Sequence, residues 1–60
     1  MNTQQVSPSF VQVGDQVKFG NSVFTVKGLE SDYSGAYDFY LENSNGQAHK
    51  VVTEPVTIVR

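Results

Sequence analysis

The side chains best suited to nucleophilic or acid–base chemistry are His49, with Asp38 or Glu54 as a carboxylate companion, and six serines. Catalysis needs such groups held in a pocket in a defined order. A Ser-His-Asp set can be assembled on paper from almost any chain, and no spacing here singles one out. His49 falls in a β-rich run, where a lone histidine reads as a surface or barrel-rim residue. The five glycines never approach a phosphate-cradling or dinucleotide pattern. No cysteine is present, so disulfides and thiolate zinc sites are excluded, and one histidine builds no metal site without carboxylate help. The expectation is a non-enzymatic chain without metal or cofactor.

The aromatic residues say more. Tyr33, Tyr37, Phe39 and Tyr40 cluster in and beside one loop, flanked by Glu30, Asp32, Asp38 and Glu42. Strand alternation that turns Tyr37 and Phe39 inward turns Tyr40 outward and leaves Tyr33 on the loop. Exposed aromatics rimmed by acids have the make-up of a protein-binding hot spot. The expected partner-binding set is therefore Tyr33, Tyr40, Asp32, Asp38, Glu30 and Glu42. The plainer alternative has Tyr33 plugging the barrel mouth and Tyr40 covering the outer face of the sheet. The same acids could imitate phosphates for a nucleic-acid enzyme, or form an ordinary solvated surface.

The formal charge is -2, from four Lys/Arg against six Asp/Glu. Lys18, Lys27, Lys50 and Arg60 are far apart in sequence, whereas nucleic-acid modules carry a basic stripe that neutralises phosphates. The balance favours a protein partner, and nucleic-acid binding requires folding to gather Lys18, Lys27 and Lys50 on one face. No apolar run approaches the ~20 residues that span a bilayer. Met1 to Pro8 lacks the basic start and apolar stretch of a secretory signal. A cytoplasmic location, with no membrane partner, is the expectation.

These residues must be positioned by strands. Residues 1–9 are polar and read as a flexible, disordered tail, with one domain over 10–60. Short β-branched and aromatic runs separated by Gly, Asn, Ser and Asp then mark an all-β chain. The expected strands are Gln16 to Phe19, with a Phe10–Val13 extension, then Val23 to Lys27, Ala36 to Glu42, Gln47 to Val52 and Val56 to Val59. Gly14-Asp15 reads as a turn, Gly28 as a bend or bulge, and Pro55 as a strand breaker. Asn45-Gly46 predicts a type I′ hairpin with positive φ at its centre. Val51, Val52 and Val56 leave the register open, because a one-residue slip exchanges core and surface. A flat five-stranded meander would expose an apolar face and two edges, so closure into a small barrel is expected. Such a barrel leaves little room for a pocket of several hundred Å³.

Val13-Gly14-Asp15-Gln16-Val17-Lys18-Phe19, followed by Val23-Phe24-Thr25-Val26-Lys27-Gly28, resembles the opening of SH3-like barrels. The Tyr37–Leu41 strand, the Asn-Gly hairpin and the short strand after a proline suit the same layout over residues 10 to 60. The resemblance implies a five-stranded SH3-like barrel and no particular function. KOW-type nucleic-acid domains share the opening but bring more basic residues. Peptide-binding SH3 domains carry a surface Trp, and this chain has none. Type II dihydrofolate reductase is similar in size and opening, but Lys50-Val51-Val52-Thr53 does not match its Val-Gln-Ile-Tyr. Size and polar tail also look like the small accessory proteins of phages and plasmids.

The leading expectation is thus a non-catalytic protein-interaction module, an accessory or regulatory factor using the Tyr33/Tyr40 face. The alternatives are a KOW-like nucleic-acid domain and an oligomeric barrel with a site at the subunit interface. Phe10, Val11 and Val13 are the edge on which a homo-oligomer could form.

Overall fold

A computed structural model describes residues 2–31 and 35–59. The chain forms six strands: β1 (Thr3–Val6), β2 (Gln16–Phe19), β3 (Ser22–Ser31), β4 (Tyr37–Asn43), β5 (Gly46–Val52) and β6 (Val56–Val59). They make one antiparallel sheet in the order β1-β6-β2-β3-β4-β5. The fold is all-β, but the expected count of five becomes six, and the sheet is not closed.

The sixth strand lies in the segment read as a tail. Thr3 to Val6 pairs with Val59 to Val56. Only one of its four residues is apolar, so hydrophobic alternation could not reveal it. Its reason is β6, whose Val56, Ile58 and Val59 are all buried. A strand this apolar needs a neighbour on each edge, and β2 supplies one while β1 supplies the other. By lying there, β1 occupies the edge of β6 that direct closure onto β5 would use.

The expected Phe10–Val13 extension is also replaced. Pro8–Phe10 forms a 3-10 turn, followed by a tight turn over Gln12–Asp15. Val11 is buried, whereas Phe10 and Val13 are exposed, so this segment offers no strand edge to a second copy. Gly14 has φ 99°, the left-handed region open chiefly to glycine. The Asp15 carboxylate accepts from Gln12 N–H at 3.0 Å. Gly14 N–H donates to Val26 C=O, and Val26 N–H donates to Asp15 C=O, each at 2.9 Å. The Gly-Asp turn thus clamps the middle of β3.

That clamp sits where the sheet bends. β2 pairs with β3 from Ser22 to Thr25, and β4 pairs with β3 from Thr25 to Ser31, with a register shift between Val26 and Gly28. An extra residue on one strand bends it and increases its twist, which is the role expected of Gly28. The radius of gyration is 10.6 Å, close to the ~10 Å of a globular chain of this length. The sheet is therefore strongly curled. Its concave side holds a single cluster of Val11, Val17, Val26, Phe39, Leu41, Val52, Val56 and Ile58, drawn from both halves. Val52 and Val56 face this core and Val51 is exposed, which settles the register around the proline.

The β4–β5 hairpin forms as expected, but by a different turn. No described residue other than glycine has positive φ, so Ser44 and Asn45 do not adopt type I′ geometry. Gly46 carries φ 135° at the last corner instead. Asn43 Oδ1 accepts from Asn45 N–H at 2.9 Å, an Asx turn that orders the loop without positive φ at its centre. Among the described residues no helix is long and apolar enough to cross a membrane.

Candidate functional site

The convex face of the β3–β4–β5 half carries most of the polar candidates. Phe39 and Leu41 are buried, so Asp38, Tyr40 and Glu42 point outward by alternation. Glu30 is the β3 partner of Asp38 and lies on the same face. Four of the six expected binding residues, Glu30, Asp38, Tyr40 and Glu42, are thereby brought together. Asp32 and Tyr33 lie outside the described residues.

Tyr40 is the centre of this face. It is 41% exposed. Its β3 partner is Gly28, and its β5 partner is His49. The Tyr40 and His49 rings stack with centroids 4.8 Å apart and planes within 7°. On the opposite flank the Gly28 backbone leaves open the volume a side chain would fill, and the Tyr40 ring covers it. The phenol ring is thus held between a ring and a bare backbone.

Charges rim it. His49 Nε2 lies 3.9 Å from Asp38 Oδ1, beyond hydrogen-bond length, so the two do not form a hydrogen-bonded acid–base pair. Lys27 Nζ lies 3.9 Å from Glu42 Oε1, and Gln47 Nε2 donates to Glu42 Oε2 at 3.2 Å. Lys27, Tyr40, Glu42, Gln47 and His49 border an open groove of about 340 Å³. A second groove of about 330 Å³ lies between Phe19, Lys50 and the Thr53–Pro55 connection. The molecule therefore has more concave surface than its size suggests, the first groove opening on the convex face and the second beside the Lys50 and Phe19 side chains.

His49, Lys27 and Gln47 were missed as members of the site. Lys27 reaches it through the bulge in β3, and His49 and Gln47 through a β4–β5 register centred on Ser44-Asn45, two residues from the pairing that an Asn45-Gly46 centre implies. The three lysines of the nucleic-acid alternative do not share a face. Lys50 pairs with buried Phe39 and so points to the concave side, where its Nζ lies 5.2 Å over the Phe19 ring. Lys27 is engaged with Glu42 on the convex side. Among the described residues no group of three or more His, Asp or Glu is placed to hold a metal ion. Glu54 lines the second groove, apart from His49. No family model matches the chain, and no curated protein or solved structure matches it.

Proposed function

We propose that the chain is a non-catalytic protein-interaction module that presents the convex β3–β4–β5 face, centred on Tyr40, to a protein partner. The observation that carries this reading is the exposed Tyr40 ring fixed against His49 and Gly28 inside a charged rim. A tyrosine immobilised before binding offers a large amphipathic contact at little entropic cost. Surrounding polar groups exclude water from such an anchor once a partner is seated. An accessory or regulatory role suits so small a module. The SH3-like reading of the scaffold is supported by the meander from β2 to β5, the return of β6 beside β2, and the curl about one core.

The test is capture of a partner from lysate by immobilised wild type and by Tyr40→Ala, with Lys18→Ala as a control away from the site. A hot-spot tyrosine contributes about 2 kcal/mol or more, so Tyr40→Ala is expected to weaken capture at least about thirtyfold. Lys18→Ala should capture as wild type does. Equal capture by Tyr40→Ala, with an unchanged circular dichroism spectrum, would remove this face from consideration. Retention of nucleic acid alone, lost steeply with salt, would overturn the protein-binding reading.

A further inference from the structure

The two edges of the sheet are unequal. β1 is four residues long, whereas β5 has seven residues with no proline, no register shift and a single lysine. Edge strands are ordinarily protected by brevity, charge, proline or a bulge, and β5 has little of this protection. Its backbone pairing shows which groups turn away from β4. Asn43 and Gly46 close the hairpin across two residues, so they form a hydrogen-bonded pair. By alternation Leu41–Ala48, Phe39–Lys50 and Tyr37–Val52 do too. Gln47, His49 and Val51 therefore turn their N–H and C=O groups away from β4, and all three residues are exposed. The 4.8 Å Tyr40–His49 ring separation fits the closer approach of side chains in a non-hydrogen-bonded pair.

We propose that this edge pairs antiparallel with the β5 edge of a second copy, about a twofold axis at His49. Self-complementarity and charge select that occupant and that register. With the axis at His49, each His49 faces its equivalent and Gln47 faces Val51 of the second copy. Every outward N–H then meets an outward C=O along the whole strand. Lys50 falls opposite the small Ala48, with its Nζ already drawn toward Phe19. An axis at Lys50 would set two ammonium groups directly opposite, which is unfavourable. An axis at Ala48 would put Val51 against Asn45, in the turn beyond the strand. The second copy also contributes to the convex groove, because the dyad sets its His49 beside the Tyr40–His49 stack. This pairing does not depend on the function proposed for that groove.

The contact covers one strand edge, short of the ~800 Å² per partner of a standard interface, so the dimer is weak and concentration-dependent. Sedimentation equilibrium on the full chain from about 20 µM to about 1 mM should show the mass rising from 6.6 kDa toward twice that value. Amide exchange followed by NMR should slow at Gln47, His49 and Val51 with concentration, and change little at Ala48 and Lys50. Val51→Pro removes one outward donor per copy while leaving the β4 ladder intact, and should weaken association about thirtyfold. A mass of one chain at the highest concentration overturns the proposal. So does a dimer whose protection lies elsewhere, or one that Val51→Pro leaves unchanged. Should Val51→Pro fail to fold, the alternate-residue exchange pattern of the wild type decides by itself.

Discussion

Gly14 and Gly28 both lie close to Val26, the first through the turn that clamps it and the second across the bulge, yet they answer to different constraints. Gly14 holds φ 99° with open space where a Cβ would stand. Its constraint is backbone strain alone, and Gly14→Ala should cost about 1–3 kcal/mol. Gly28 has no left-handed φ, and a Cβ there would meet Tyr40 Cδ2 at 3.5 Å, an ordinary contact. Gly28→Ala should therefore stabilise by roughly 0.4–1 kcal/mol through the unfolded chain. Urea denaturation of both variants checks the opposite signs, and a loss at Gly28 would show that the bulge itself requires glycine. At this scale the sequence reveals a good deal. Alternation alone places Asp38, Tyr40 and Glu42 on one face, because the side-chain period of a strand is two. It cannot supply His49 as the ring under Tyr40, since that contact depends on which residue of β5 the hairpin sets opposite.

β1 marks the limit of local reading at the scale of elements. Thr3-Gln4-Gln5-Val6 has neither alternation nor β-rich composition, and it is a strand because β6 needs a second neighbour. The reverse holds for β2 and β4, whose apolar residues repeat in the strand period and bury as that period implies, whereas β5 exposes Val51 beside buried Val52 and β6 buries Val59 beside Ile58. The β4–β5 turn falls between these cases, with its location legible in Asn45-Gly46 and its geometry decided by the Asn43 side chain. Removing residues 2–6 strips the β6 edge of its ladder and uncovers part of Val56 and Val59. The expected loss is on the order of 1–3 kcal/mol, with faster amide exchange at β6 and little change at the β4–β5 hairpin. A denaturation midpoint unmoved by the deletion would show that β1 contributes no stability.

The bend at β3 divides the sheet into two halves, and the question for the whole molecule is whether they unfold together. The backbone couples the halves at only two residues, Thr25, which belongs to both the β2–β3 and β3–β4 pairings, and Val26, which pairs with Leu41 and is clamped by Gly14 and Asp15. The core couples them strongly. Val17 and Ile58 come from one half and Phe39 and Leu41 from the other, and all four are essentially sealed from solvent in one cluster. Neither half has an apolar face that it could bury without the other, and a domain this small has only a few kcal/mol of net stability. Phe39→Ala should cost about 3–5 kcal/mol, comparable to that total, and unfold both halves. In a Tyr33→Phe variant, tyrosine fluorescence comes from Tyr37 and Tyr40 alone and reports the β4 half, and far-ultraviolet circular dichroism reports the sheet as a whole. Their urea midpoints should coincide. For Phe39→Ala, the NMR signals of β1, β2 and β6 should collapse with those of β4. Survival of dispersed signals from β1, β2 and β6 in that variant would mean that the shared core does not bind the halves into one cooperative unit.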